Sequence, residues 1–325
     1  MLLYILKRLV SAVCVIVATL VVSFALFFVA PTDPAAAICG NRCTPQRVAE
    51  ITRSLSLDRP VAVQFRDYVA GIVAGRDFMI GGTVVHCTAP CLGYSYTLGQ
   101  PVTTLLAQAV PVTLSIVVGA AVVYLSVGVL AGTYAARRRG TFIDRATVGV
   151  TLTVSSVPYF VVALIVALYA TALPRSAYHA LLDDPLAWAG GLSAAWLTLG
   201  LANAAAYTRY SRAAMVDILS EDYLRTARAK GASPRRVVYR HGLRAALTPV
   251  ATIFGLDLAL QLTGAIFTES IFGLPGLGVL TLRAFNQFDL PVLMGGVLVG
   301  AVVLVAMNLL VDLLYTVLDP RVRLA

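Results

Sequence analysis

The chain has 325 residues, is 59% hydrophobic and only 13% charged, and carries a formal charge of +9. Soluble domains carry roughly 25% charged residues, and several apolar runs here exceed the roughly 18 residues that mark a spanning helix, so two soluble domains are excluded in favour of one polytopic membrane domain. The basic residues gather beside the apolar runs, as the positive-inside rule predicts, and form no patch for nucleic acid. Of the 25 basic residues only Lys7 and Lys230 are lysines, which points to a GC-rich genome.

Met1–Arg8 is a short basic start, and Leu9–Ala30 is a charge-free first span of about 22 residues. That core is too long for a signal peptide, and Pro31-Thr32-Asp33-Pro34 follows with no small-residue cleavage site, so the helix is read as uncleaved with a cytoplasmic N-terminus. Thr44 is an N-cap candidate with Pro45 at the first position of a helix over 44–55. Val61–Val73 reads as amphipathic helix, with Val61, Phe65, Tyr68, Val69 and Ile72 on one face. Met79–Cys87 looks like a small hairpin turning at Gly81-Gly82.

Five cysteines are present. Cys14 lies inside an apolar run and reads as an inert thiol. Cys39 and Cys43, and Cys87 and Cys91, form two close pairs. The C-x₃-C spacing is a poor match to zinc-site spacing, although the adjacent His86 keeps metal open. On an extracytoplasmic segment disulfides are the default, and spacing leaves three pairings open.

The second span is read over Val110–Ala136, and Arg137-Arg138-Arg139 marks its cytoplasmic side. The third runs from about Ala146 to Leu173 with Pro158 inside, which should bend or break the helix. A short outer loop, Pro174–Leu186, leads to a fourth span over about Trp188–Tyr207. The stretch 209–244 then holds nine Arg/Lys against three acids, a net of +6 and the largest inward bias in the chain. The fifth span, about Leu247–Thr268, carries Asp257 and Gln261 four apart on one face; an acid at membrane depth should face protein or a wet cavity. Asp257 has two readings of similar weight, contact with a cationic group of a substrate or a hydrogen bond within the bundle. The sixth span is about Leu290–Leu318, with Asn308 and Asp312 four apart near its inner end.

The longest polar stretch that still reads as ordered is 220–249. Ser220 is an N-cap candidate, Glu221 and Asp222 occupy the first turn, Arg228 and Lys230 the last, and Gly231 sits where a left-handed cap is needed. That is a helix of about ten residues, roughly 15 Å long. Ser233 and Pro234 then suit the N-cap and first position of a second helix. Taken by itself, this hairpin could be a solvated basic loop that only sets topology. However, Arg225-Thr226-Ala227-Arg228-Ala229-Lys230-Gly231, with Arg240-His241 and Pro249 downstream, resembles the EAA-type loop of ABC importer permeases, and in detail the dipeptide/oligopeptide/nickel branch. Arg225 stands where the wider family has Glu, and Ala245 where Asn is expected. The resemblance extends to Leu57-Asp58-Arg59-Pro60, Gly93-Tyr94-Ser95-Tyr96, Ser155–Phe160, Glu269-Ser270-Ile271-Phe272-Gly273-Leu274-Pro275-Gly276-Leu277-Gly278, and Asn308/Asp312 with Asp319-Pro320-Arg321. It covers nearly the whole chain except about 78–92.

This resemblance implies an all-α integral membrane fold of the type I ABC importer permease kind, with six transmembrane helices, both termini in the cytoplasm and an enlarged outer loop between the first two spans. The implied division is 1–30 for the first span, 31–108 for an extracytoplasmic subdomain holding four cysteines, and 109–325 for a five-span core with a coupling loop over 209–248. Tyr223, Arg225, Thr226, Ala227, Arg228, Lys230, Gly231, Ser233 and Pro234 are the expected ATPase-coupling residues. Pro158, Phe160, Asp257, Gln261 and Glu269 are candidates for the substrate path. The chain would bind no cofactor; ATP and Mg would sit on partner subunits. Expected partners are a homologous permease subunit, two ATPase domains, an extracytoplasmic substrate-binding protein and the lipid bilayer. Small peptides are the favoured cargo, with nickel chelates or haem as alternatives.

Other classes fit less well. The three histidines all fall in loops, no H-E-x-x-H motif exists, and the Gly273–Gly278 run lacks the Lys and helix register of a phosphate cradle. A secondary transporter would show internal repeats and interrupted helices, and coupling ions would have little besides Asp257.

Overall fold

Inside a membrane no water is available to backbone amides, so apolar runs must satisfy their hydrogen bonds internally and fold as helices. The computed structural model describes residues 2–29, 34–39, 44–54, 57–80, 83–170 and 172–318. In chain order it contains α1 (Leu2–Phe24, continued by a π-type turn Ala25–Val29), α2 (Pro34–Cys39), α3 (Pro45–Ser54) and α4 (Val61–Ala74). Next come β1 (Arg76–Ile80), β2 (Thr83–Cys87), β3 (Tyr94–Ser95) and β4 (Gln100–Pro101). They are followed by α5 (Val102–Arg137), α6 (Phe142–Ser156), α7 (Tyr159–Tyr169), α8 (Pro185–Leu219), α9 (Asp222–Ala229) and α10 (Pro234–Arg236). A π-type segment, Val237–Gly242, leads into α11 (Leu243–Phe272), then α12 (Leu277–Asn286) and α13 (Leu290–Leu318).

Four stretches are long and apolar enough to cross a membrane: Leu6–Phe27, Val102–Arg137, Pro185–Leu219 and Leu290–Leu310. Counting two bent pairs, α6 with α7 and Ala265–Phe272 with α12, raises the number to as many as six. The helices outrun the expected spans at both ends. α5 begins at Val102 rather than Val110 and carries Pro111 within it, and α8 begins at Pro185, where Asp184 accepts the Leu186 and Ala187 amides at 3.1 and 2.9 Å as N-cap. Pro158 breaks the third region as expected, and α6 and α7 meet at 84°. The segment after Gly276, expected as loop, includes the ten-residue helix α12.

The chain forms two units, Met1–Val112 with Pro275–Ala306 and Thr113–Leu274 with Met307–Ala325. In the first, β1 and β2 pair antiparallel with Ile80 opposite Thr83, as the hairpin expectation requires; Gly81 and Gly82 lie outside the described residues. Ile51, Phe78, Cys87, Cys91, Val102 and Leu106 form the core under this hairpin, all but inaccessible to solvent. The expected apolar face of α4 is packed at Phe65, Tyr68 and Ile72, with one departure and one addition. Val61 is exposed, and the buried stripe is Gln64, Tyr68 and Gly71. Gln64 can be buried because its side-chain amide donates to the Leu57 and Arg59 carbonyls, at 3.2 and 2.8 Å. Asp289, also buried, accepts a very short hydrogen bond from the Ser95 hydroxyl and one of 3.3 Å from the Val292 amide at the start of α13. Burial pushes its carboxyl above the ordinary value, a push that the Ser95, Val292 and Thr97 hydrogen bonds only partly offset.

In the second unit, small residues let α5 and α8 approach closely. A Cβ on Gly132 would lie 2.5 Å from the Thr208 carbonyl oxygen and 2.8 Å from the Arg212 amide nitrogen. Nearby, the rings of Tyr124 and Tyr207, tilted at 35° with centroids 4.6 Å apart, pack with Phe254 and Val250.

Candidate functional site

α8 continues past its apolar portion to Leu219, and Ser220 closes it. The Ser220 amide bonds the Asp217 carbonyl and its hydroxyl donates to the same oxygen at 2.6 Å. Ser220 is therefore the C-cap of α8 and not the N-cap of α9. Its backbone is right-handed helical (φ −85°, ψ −12°), whereas an N-cap needs extended geometry, which Glu221 has (φ −67°, ψ 143°). The helix thus starts one residue later than expected and is eight residues long, with Asp222 supplying negative charge to its first turn.

The other end of α9 matches its sequence closely. Gly231 has φ +83°. The Ala232 amide bonds the Ala227 carbonyl at 3.1 Å and the Gly231 amide bonds the Arg228 carbonyl at 2.9 Å. Those two bonds constitute a Schellman motif, which needs a left-handed residue at the glycine position. Ala227 and Ala232, the pair that such a motif brings together, are half-buried. Ser233 then accepts the Arg236 amide at 3.4 Å and Pro234 occupies the first position of α10. From there the chain passes through the π-type segment into α11.

One face of this hairpin is packed. Leu224, Val237 and Val238 are buried, and Val238 joins Met215, Ala136 and Ala246 in an apolar cluster. The other face is open. Tyr223, Arg225, Thr226, Arg228, Lys230, Gly231, Ser233 and Pro234 are all exposed, so of the nine expected coupling residues only Ala227 is half-buried. Arg225 bonds Asp222 at 3.2 Å across one turn, an exposed pair that holds the guanidinium in place but contributes little stability. Partial burial, and then the neighbouring Glu221, raise the Tyr223 hydroxyl above its ordinary value, so it remains a neutral donor. The hairpin is a preformed, cationic, donor-rich surface on a short rigid helix.

The expected path residues are spread through the second unit. Pro158 is the N-cap of α7, at the break. Phe160 is exposed and stacks on Phe267 at 6.2 Å. Asp257 is half-buried and accepts a 3.0 Å hydrogen bond from the Tyr207 hydroxyl; Gln261, one turn on, is also half-buried. Glu269 differs from these. It is fully buried near the end of α11, accepts the Thr113 hydroxyl at 2.6 Å, and its carbonyl receives the Gly273 and Leu274 amides. Asn308 is exposed, whereas Asp319-Pro320-Arg321 lies outside the described residues.

Cys87 and Cys91 form a disulfide within the core of the first unit. Cys39 is also disulfide-bonded; Cys43, the other half of its sequence pair, lies outside the described residues. His86 and Asp77 face each other across the β1–β2 ladder, 2.6 Å apart and exposed.

Three polar residues in the second unit were not singled out from sequence. Arg212 on α8 donates to both carboxylate oxygens of Asp144 at 2.5 and 2.8 Å, and Arg209 donates to the Thr151 carbonyl and the Ser155 hydroxyl at 3.2 and 2.7 Å. An acid in the first turn of an apolar helix, Asp144, was the available signal.

Residues 128–324 match the family described as "Binding-protein-dependent transport system inner membrane component", and residues 1–117 match the N-terminal family of such membrane components. The chain is 36% identical over 324 residues to a probable peptide ABC transporter permease protein, y4tP, of Sinorhizobium fredii, covering 98% of this chain and 99% of that one. It is 34% identical over 351 residues to the dipeptide transport system permease protein DppB of Escherichia coli, covering 99% of each. Among solved structures, an inward-facing form of the MetNI methionine ABC transporter shares the fold, with a TM-score of 0.52 over 67% of this chain and 97% of that chain at 19% identity. With a helical fold of the type I importer kind and family matches along most of its length, this multi-pass membrane protein belongs to the inner membrane components of binding-protein-dependent transport systems.

Proposed function

We propose that the chain is the permease subunit of an ATP-driven importer of small peptides, and that the α9–α10 hairpin is where partner ATPases drive it. The carrying observation is the Schellman-closed hairpin, whose exposed face gathers Tyr223, Arg225, Arg228 and Lys230 while its other face is packed. A rigid polar helix set between two long helices can receive a push and pass it to both. Similarity to a dipeptide permease along the full chain supports peptide as cargo.

In this reading six spans place both termini and the hairpin in the cytoplasm, and residues 31–108 form a disulfide-stapled extracytoplasmic subdomain. A homologous second permease subunit completes the path, two ATPase domains bind ATP and Mg, and a substrate-binding protein delivers peptide from outside. Pro158, Phe160, Asp257 and Gln261 line the path; Asp257, held by Tyr207, offers a carboxylate to a cationic group of the cargo. Glu269, sealed against Thr113, serves as a structural tie at the end of α11. Hydrolysis belongs to the partners, since no nucleotide-binding motif occurs in the chain.

The test is peptide uptake in cells or vesicles under ATP depletion and, separately, under collapse of the ion gradient. Uptake should stop only with ATP, and the protein should co-purify with an ATPase and a second polytopic chain. Uptake that survives ATP depletion would overturn the reading.

A further inference from the structure

The hairpin hangs from α8, and one stretch of α8 binds α6 at both ends. α8 has 35 residues, about 52 Å at 1.5 Å per residue, and its last two turns reach α9 through only Ser220 and Glu221. Arg209 and Arg212, three apart, lie on one face of it. Arg212 engages Asp144 in the first turn of α6 through two parallel hydrogen bonds, the strongest geometry available to an ion pair. Asp144 is 3% exposed, and its second oxygen also accepts the Gly140 amide at 2.9 Å. Separating the two would leave the buried Asp144 charge without its partner, so the contact is costly to break.

Arg209 grips the other end of α6. Its Nη1 bonds the Thr151 carbonyl and the Ser155 hydroxyl, in the last two turns before the break at Val157-Pro158. No acid lies within ion-pair distance of Arg209 among the described residues, so its charge is matched by neutral acceptors and by the negative end of the α6 dipole. α5 closes the third side, since Gly132 abuts the α8 backbone at Thr208 and Arg212. A 15-residue helix held at its first and last turns has little freedom to slide or tilt against α8. Immediately beyond the second grip, α7 leaves at 84°.

We propose that Arg209 and the Arg212–Asp144 pair are positioning residues that make α6, α8 and α9 move as one body, so that displacement of the hairpin is delivered to the Val157-Pro158 joint and swings α7. This rests on the proposed role of the hairpin in ATP-driven transport. It assigns Pro158 to a hinge, and it locates the step between energy input and the path in two arginines that belong neither to the hairpin nor to the expected path residues.

The experiment uses the complete transporter with its partner ATPases, reconstituted in vesicles. Spin labels at Thr153 on α6 and Asp217 on α8, both exposed, should give one narrow distance that is the same with and without nucleotide. Labels at Thr153 and Leu168, across the joint, should give a distance that changes. Arg209→Met should lower peptide uptake by about tenfold, the scale of one charge-assisted hydrogen bond, while ATP hydrolysis stays within roughly twofold, and Arg209→Lys should restore most of the uptake. A Thr153–Asp217 distance that shifts with nucleotide in the unsubstituted transporter overturns the proposal, whatever becomes of the variants. Wild-type transport by Arg209→Met does so too. Absence of any ATP-driven uptake by the unsubstituted complex would instead strike at the proposed function.

Discussion

Replacing Gly231 isolates the conformational part of the hairpin from its packing. A Cβ built at Gly231 meets no atom within 4 Å, so the added Cβ itself creates no clash with a neighbour. What remains is the backbone, at φ +83°. An L-residue in the left-handed region costs about 1–2 kcal/mol, less for Asn and more for a β-branched residue. If the residue escapes to negative φ, the Ala232–Ala227 and Gly231–Arg228 hydrogen bonds open, at about 1 kcal/mol each. Either way the closed hairpin loses roughly 1–2 kcal/mol, and about 1.4 kcal/mol is tenfold in population. Uptake at matched membrane abundance should therefore fall in the order glycine, Asn, Ala, Val, with ATP hydrolysis by the partners less affected than transport. Normal uptake by Gly231→Val would refute the reasoning. So would a loss that merely follows reduced abundance, because the site is open and the damage should be to coupling rather than to insertion.

Other outcomes follow from particular contacts. Gly132→Leu should abolish accumulation of folded protein in the membrane, because its Cβ would meet two α8 backbone atoms at 2.5 and 2.8 Å, whereas Gly149→Ala, with nothing within 4 Å of the added Cβ, should accumulate normally; immunoblots of membranes decide this. Since the Asp289 carboxyl is raised, its protonated form favours the fold; that stabilisation is full below the ordinary value near ~3.9 and is lost as pH rises through the higher folded value. The difference in melting temperature between wild type and Asp289→Asn in detergent should therefore move against wild type as pH rises through this range, and a change in the opposite direction would show a carboxylate that the fold prefers charged. Peptide mapping without reductant should find Cys87 joined to Cys91, and Cys87→Ser with Cys91→Ser should cost about 2 kcal/mol by the loop-entropy estimate, read as faster proteolysis of 31–108.

Much of the membrane architecture could be read in advance because its cause is local. Long apolar runs must become helices in lipid, Pro158 must interrupt one, and Gly231 followed by Ser233-Pro234 ends one helix and starts another by backbone chemistry that needs no distant partner. The β1–β2 hairpin was legible for the same reason: two short β-prone runs flank Gly81-Gly82 in the sequence, and they pair antiparallel with Ile80 opposite Thr83. The errors occur where a local signal had two uses. Ser220 is a good cap at either end of a helix, and only the extension of α8 to Leu219 assigns it to the end of α8. Val61 and Gln64 traded places on α4, because the Leu57 and Arg59 carbonyls made burial of the amide acceptable.

The sequence by itself determined that this is a polytopic membrane protein with a basic helical hairpin, and its motifs carried the family. Only the tertiary structure decided which polar groups are partnered. Asp257 meets Tyr207, Glu269 meets Thr113, and Asp144 meets Arg212, partners 50, 156 and 68 residues away in the chain. A buried carboxyl in an apolar helix announces that it needs a partner, but which residue answers depends on helix packing, and here that packing turns on side chains as small as the missing Cβ of Gly132.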